Sequence, residues 1–269
     1  MEHTNKTNIK DEIFQARTNV TELLFEIDNI TLQENPQIQA EYATKIGYLE
    51  NDLLKWQIEA RRAKRRLSLA QARINSGATF STDEFEEQLN EELANWENKL
   101  NQSMKKFLEI AERANGTHAL SPMETRELKK LHRMLIKRLH LDLHPTQNEE
   151  ALRFFNVAQG AYKNGDLGLL RSIAVASEGL VEEDPVLDMN EDEASIELEL
   201  VLAHEALIKE QLETLKRSNP YALKEKLEDG AWVIERTTQL KGQIEGQKEA
   251  AKAYDERFSE LAKGNRNEQ

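Results

Sequence analysis

The chain has 269 residues, of which 11 are glycine, 5 are proline and none is cysteine, and its formal net charge is −13 at pH 7. So few turn-forming residues, with only 6% aromatics, argue against β-sandwiches, β-barrels and doubly wound α/β enzymes. The missing cysteines exclude disulfides and thiolate chemistry, and the negative charge disfavours nucleic-acid and anionic-membrane partners. We expect an all-α fold: a long antiparallel coiled-coil or helical bundle.

The N-terminal segment, residues 1–118, is predicted to consist of long helices. Apolar residues recur every three or four positions from Ile9 to Ile30 and again from Ile46 to Ile74, and the second run has the a/d spacing of a coiled coil for about four heptads. This second helix is expected to begin near Asn35-Pro36, because proline is favoured in a first helical turn. It should end at Asn75-Ser76-Gly77.

A further long helix is predicted from Ser81, where Ser81 and Glu84 have capping-box spacing. Its apolar face runs from Phe85 to Ile110, and the short connection predicts antiparallel packing on the preceding helix. The basic cluster Arg61 to Arg66 is interpreted as a solvated face of the coiled coil rather than as a nucleic-acid site, given the acidic balance of the chain.

The middle segment, residues 119–177, has a different pattern. A basic helix covers 127–140, a loop follows, and two short helices are predicted at 149–163 and 167–173. The buried stripe of the basic helix is predicted to contain Leu128, Leu131, Leu135 and Leu139. Its exposed cationic face is predicted to contain Lys129, His132, Arg133, Ile136 and Lys137.

This segment resembles the J-domain of DnaJ-type co-chaperones. Glu127 to Asp142 reads E-L-K-K-L-H-R-M-L-I-K-R-L-H-L-D, where that family typically reads E-I-K-K-A-Y-R-K-L-A-x-K-Y-H-P-D. In the next helix, Ala151, Phe155, Ala158, Ala161 and Tyr162 fall into the places of the family pattern A-x-x-x-F-x-x-I-x-x-A-Y, with Ala158 at the place of the Ile. In this respect the chain resembles cytosolic proteins of Gram-positive bacteria that are described as J-domain-containing.

The resemblance implies a binding surface for a DnaK-type ATPase chaperone, with no enzyme activity and no cofactor in this chain. By position, the basic helix would contact an acidic surface of the chaperone, and His140 with Asp142 would trigger ATP hydrolysis. The implied partner-binding residues are Lys129, Lys130, His132, Arg133, Lys137, Arg138, His140, Leu141 and Asp142.

Two departures from the family bear on this interpretation. Leu141 replaces the family's proline, so the basic helix is expected to be able to continue as far as Pro145. The family's first helix is missing, and the segment from Lys105 to Ala114 is the expected substitute. A zinc interpretation of His140, Asp142 and His144 is disfavoured because a fourth ligand is lacking.

An acidic linker is predicted over residues 178–195. The stretch from Ser172 to Ile208 contains no lysine or arginine, and aliphatic residues lie between the acids of Asp184-Pro-Val-Leu-Asp188. The favoured interpretation is a flexible, solvated spacer. The alternative is an internal brake that folds back onto the basic helix.

Residues 196–269 are predicted to form C-terminal helices with coiled-coil character. A second run, from Val233 to Leu261, follows the a/d spacing with Thr237 and Gln247 at two of its positions. The first helix is expected to stop before Asn219-Pro220, with a buried face at Ile196, Leu200, Ala203, Leu207 and Leu215.

Two functions are consistent with these patterns. The first is a cytoplasmic adaptor or co-chaperone whose coiled coils hold a client or assembly protein while the J-like segment recruits the ATPase. The second is a structural coiled-coil scaffold whose J-like segment no longer stimulates ATP hydrolysis. Self-association into a homo-oligomer is compatible with both.

Overall fold

The computed structural model describes residues 8–78, 80, 82–116, 120–144, 148–180 and 185–267. Over these residues the chain is helical or in turns and contains no strand, which confirms the all-α prediction. The helices are α1 (Ile9–Asn29), α2 (Asn35–Tyr42), α3 (Tyr48–Asn75), α4 (Thr82–Gly116), α5 (Pro122–Leu139), α6 (Glu149–Asn164), α7 (Leu167–Ala176), α8 (Glu191–Arg217), α9 (Lys224–Glu228) and α10 (Gly230–Asn267).

The helices form two compact units. The first contains the described residues of Met1–Ile38 and Gly116–Lys224, and the second those of Gln39–Asn115 and Glu225–Gln269. These units do not coincide with the predicted ranges 1–118, 119–177, 178–195 and 196–269. The difference arises because each unit joins segments that are distant in sequence, and a hydrophobic repeat does not specify which helix will cover it.

In the second unit, α3 pairs with both α4 and α10. The predicted antiparallel packing of α3 and α4 is confirmed because later residues of α3 pair with earlier residues of α4: Arg62 lies 2.6 Å from Glu97, and Arg73 lies 3.9 Å from Glu84. The predicted a/d positions of α10 are likewise buried or half-buried, and α10 runs parallel to α3. Buried members of the three helices include Leu49, Ala63, Ala70, Phe85, Leu89, Leu240, Ile244 and Phe258.

The basic cluster of α3 is not a free solvated face. Arg62, Arg65 and Arg66 each pair with glutamates of α4, and the Arg61 guanidinium lies 4.1 Å from the centroid of the Trp96 ring. The cluster therefore serves the α3–α4 interface. The acids that neutralise it were far away in the sequence, so its own composition did not indicate their presence.

The predicted ends of α3 are half correct. The stop at Asn75 is confirmed, and Gly77 adopts a left-handed φ of 69° just beyond it. The predicted start at Asn35-Pro36 is wrong, because Asn35 is itself helical and follows a π-helical stretch, Ile30–Glu34. A widened turn of this kind accommodates a proline that cannot donate a backbone hydrogen bond. The predicted cap at Ser81 lies outside the described residues.

In the first unit, the core lies between α1, α5, α6, α7 and α8. Val20, Leu24 and Phe25 of α1 pack with apolar residues of the α5–α6 pair. The helix that completes this core is α1, whereas the sequence led us to expect the end of α4. The α6 residues Phe155, Ala158 and Tyr162 are buried in this core, and Gly165 ends α6 with a left-handed φ of 69°.

The described part of the acidic segment is ordered against α1. Val186 is fully buried and packs with Ile13 and Ala194, and Lys10 Nζ donates to the Leu187 carbonyl at 2.8 Å. Helix α8 already begins at Glu191 with a capping box. The predictions of a flexible spacer and of a brake folded onto the basic helix are both wrong for residues 185–195, because Val186 finds its apolar partner on α1. Asp184 lies outside the described residues.

Helix α8 buries the face that we did not predict. Ile196, Leu200 and Leu207, expected in the core, are 62, 62 and 58% exposed. The helix carries a second apolar stripe, and this second stripe faces the unit's interior: Ala194, Val201, Ile208 and Leu212. Periodicity identifies residues that share a face, but with two such faces only the neighbouring helix decides which is buried.

Candidate functional site

The predicted binding helix, α5, has well-defined ends. Ser121 caps its N-terminus in a reciprocal capping box with Glu124, and Pro122 occupies the first turn. At the other end, His140 has an extended backbone, so the helix stops after Leu139. The expectation that Leu141 would let the helix continue to Pro145 is therefore wrong.

Two histidines build the loop in place of the missing proline. The His140 Nδ1 accepts a hydrogen bond from the Asp142 backbone N–H at 3.1 Å, so the neutral ring carries its proton on Nε2. The same ring packs edge-on against Phe155, with centroids 4.9 Å apart. The His144 Nε2 donates to the Lys137 carbonyl at 2.8 Å, which satisfies a group that the end of a helix leaves free.

The prediction that His132 and Ile136 lie on the exposed face of α5 is wrong. Both side chains are fully buried. The His132 ring stacks on Tyr162 with centroids 3.9 Å apart, and its Nε2 lies 2.9 Å from Asp28 Oδ2 on α1. The predicted Leu stripe was correct but too narrow, because α5 is covered by α1 as well as by α6 and α7.

Two of the predicted cations are engaged within the unit. The Arg133 guanidinium lies 4.1 Å from the centroid of the Phe25 ring and pairs with Glu22. Arg138 donates to the Ala174 carbonyl at 2.6 Å and to Ser177 Oγ at 2.8 Å, at the C-terminal end of α7. Both side chains hold neighbouring helices, so they are less available to a partner than the sequence suggested.

Four cations of α5 remain exposed and lie on one face of the helix. None of them forms a salt bridge with another described residue, and together they define the exposed cations of α5: Arg126, Lys129, Lys130 and Lys137. Arg126 was missed by the sequence analysis. Arg126 lies three residues before Lys129, and this spacing places both side chains on the same face of a helix, so it was the signal that could have added Arg126 to the predicted cationic face.

The loop beside these cations presents an acid. Leu141 is 47% exposed, and the Asp142 side chain is 40% exposed. The Asp142 carboxylate lies 3.4 Å from His204 Nε2 on α8 and 3.9 Å from His140 Nδ1. No local pattern indicates this pairing, because 62 positions separate His204 from Asp142 in the numbering.

No cluster of three or more metal-ligating side chains occurs in the described ranges. Among the described helices, none is both long and apolar enough to cross a bilayer. Comparisons with protein-family models, with curated proteins and with solved structures find no match to this chain.

Burial lowers the pKa of the His140 imidazole below its usual 6.5; the nearby Asp142 and Asp28 carboxylates oppose this shift, while His204 and His132 add to it. Because the folded state favours the neutral His140 imidazole, this group makes its full contribution to the free energy of unfolding above the pKa of the unfolded state. That contribution is lost as the pH falls below about 6.5.

We therefore expect the free energy of unfolding to fall between pH 7.5 and pH 5.5 by less in His140→Gln than in the natural protein. Denaturant titrations at the two pH values measure the difference. An identical decrease in both proteins would contradict the assignment of this titration to His140.

Proposed function

We propose that the protein is a J-domain-like co-chaperone or adaptor that recruits a DnaK-type ATPase chaperone through α5 and the loop that follows. The observation that carries this proposal is a helix whose exposed cations form no salt bridge with another described residue. This helix is antiparallel to α6 and ends at a His-Leu-Asp loop with an exposed carboxylate. The protein would act by binding, with catalysis performed by its partner. The proposed setting is the cytoplasm of a bacterium.

The structure alters which residues this proposal uses. Lys129, Lys130 and Lys137, with Arg126, are the side chains free to approach an acidic partner. His132, Arg133 and Arg138 support the helix from behind or from its side. Charges at the exposed rim of an interface mainly raise the association rate, so the proposed docking should be fast and sensitive to salt.

The second candidate is a structural scaffold in which the J-like segment is a packing element. The observation that favours it is the state of His140, whose ring is largely covered by Phe155 and whose Nδ1 is taken by the Asp142 backbone. A scaffold would use the α3, α4 and α10 helices to hold a client or assembly protein without stimulating ATP turnover.

We expect Lys129→Glu combined with Lys137→Glu to weaken binding to a DnaK-type chaperone by about tenfold or more, and to lower stimulation of its ATPase in parallel. Both residues are exposed, so the fold should be unaffected. Turnover of ATP by the chaperone, with and without each purified variant, measures stimulation, and fluorescence anisotropy measures affinity.

The matched control is Lys241→Glu with Lys252→Glu on α10, which changes the net charge equally on two exposed residues of the other unit. The control should stimulate like the natural protein. Equal loss in both variants would indicate a general charge effect, and no stimulation by the natural protein would favour the scaffold.

A further inference from the structure

Helix α8 carries an apolar stripe that the unit itself leaves uncovered. Ile196, Leu200, Ala203 and Leu207 follow one another at intervals of four, three and four residues, and all four are exposed. We call this set the outer stripe. Such spacing is that of the a and d positions of a coiled coil, and over three turns it extends about 16 Å along the helix.

The outer stripe is not needed to attach α8 to its unit. That attachment uses the opposite side of the helix, where Ala194, Ile208 and Leu212 are buried and Val201 packs against the core. Contiguous exposed aliphatic side chains on a folded domain are typical of a protein-binding surface. A second apolar face on one helix is the geometry by which amphipathic helices recognise another helix.

The edges of the outer stripe are acidic. Asp192, Glu199 and Glu210 are exposed beside it, and none of the three forms a salt bridge with another described residue. Glu193 lies at the other edge and caps the helix. The lysine nearest in sequence, Lys209, is on the far side of α8, where it pairs with Glu205 at 2.5 Å.

These charges decide between possible occupants. A second copy of α8 in antiparallel orientation would place this acidic edge against itself along the seam, which is destabilising at flanking coiled-coil positions. The chain's own basic helix, α5, cannot serve, because its apolar face is already buried. A helix with lysine or arginine beside its apolar stripe would be complementary in both shape and charge.

We propose that the outer stripe of α8 binds a basic amphipathic helix of a partner protein, about three turns long, with Leu or Ile at the same three- and four-residue spacing. Leu200 and Leu207 supply the leucine contacts of the stripe, and Glu199 and Glu210 select the basic partner. The surface lies on a different helix from the exposed cations of α5, and the inference does not depend on the proposed chaperone function.

The probe is a labelled synthetic helix with leucines at 3–4 spacing and lysines at the flanking positions. Its two controls are a scrambled peptide of the same composition and a peptide with every lysine replaced by glutamate. Fluorescence anisotropy with the full-length protein should show saturable binding of the lysine peptide only. Equal binding of the scrambled peptide, or no binding of the lysine peptide, would overturn the proposal.

Two variants locate the contact. Leu200→Ser with Leu207→Ser should weaken peptide binding by roughly 30-fold or more, because the variant lacks the apolar surface that the two exposed leucines would bury against the peptide. Leu202→Ser, which alters a 49% exposed leucine outside the stripe, should bind like the natural protein. Unchanged affinity in the double variant would contradict the assignment.

The charge selection has its own test. Glu199→Lys with Glu210→Lys should reverse the preference, so that the glutamate peptide binds more tightly than the lysine peptide. Sedimentation of the free protein completes the design. Self-association that is abolished by Leu200→Ser with Leu207→Ser would overturn the proposal in favour of a second copy as occupant.

Discussion

Replacing Tyr162 with alanine is expected to lower the free energy of unfolding by about 3–5 kcal/mol, the usual range for deleting a large buried aromatic side chain. The Tyr162 side chain is fully buried, stacks on His132 and approaches the Phe25 ring with centroids 6.4 Å apart. Its removal would leave a cavity where α1, α5 and α6 meet. Chemical denaturation followed by circular dichroism measures the loss.

Tyr162→Phe separates the ring from the hydroxyl. The hydroxyl donates to Asn29 Oδ1 at 2.9 Å, and burial raises the pKa of Tyr162 above its ordinary value. The phenylalanine variant keeps the packing and should lose about 1–2 kcal/mol. Val157→Ala, at a 48% exposed position of the same helix, should change stability little.

Hydrogen exchange locates the effect of Tyr162→Ala. Faster exchange should appear in α1 and α5 as well as in α6, because all three helices share the core around this ring. A change confined to α6 would contradict the packing of α1 against the α5–α6 pair.

Local signals in the sequence were sufficient to identify most helices. The a/d run of α3, the leucine stripe of α5 and the helix predicted over 149–163 depend on the chain's own periodicity and capping, and the structure confirms each of them. These features involve residues within a few turns of each other, so no information about distant segments was required.

Features that depend on distant segments were not predictable. His132 appeared exposed because α1, which buries it, lies about 100 residues earlier in the chain. The outer stripe of α8 appeared buried because its spacing resembles that of a packed helix. In each case the pattern identified residues that share one helix face. Whether that face is covered depends on another helix, whose residues are distant in the sequence.

For the same reason, the candidate site changed more than the fold. Of the nine residues first assigned to partner binding, Lys129, Lys130 and Lys137 are exposed cations without salt bridges in the described structure. The positively charged face is therefore narrower than the sequence indicated. Its helix is held by contacts with α1 and α7, so changes at those contacts act on stability first and on any partner second.

Asp28→Ala is expected to lower the free energy of unfolding by about 2–4 kcal/mol. The Asp28 carboxylate accepts from His132 Nε2 at 2.9 Å and from Gln159 Nε2 at 3.2 Å. His132 Nδ1 already has no hydrogen-bond partner among the described residues. Removing the carboxylate would leave both nitrogens of the buried imidazole without a hydrogen-bond partner among the described residues.

Asp28→Asn retains one acceptor oxygen and should lose about half as much stability, whereas Glu12→Ala, at an exposed position of the same helix, should lose only a few tenths of a kcal/mol. Unfolding free energies from denaturant titrations rank the three variants. Equal stability of Asp28→Ala and Glu12→Ala would mean that the Asp28–His132 contact does not hold α1 against α5. If the three variants rank as predicted, any loss of partner affinity in Asp28→Ala should be reversed under conditions that stabilise the fold. The loss of affinity in Lys129→Glu with Lys137→Glu should persist under the same conditions.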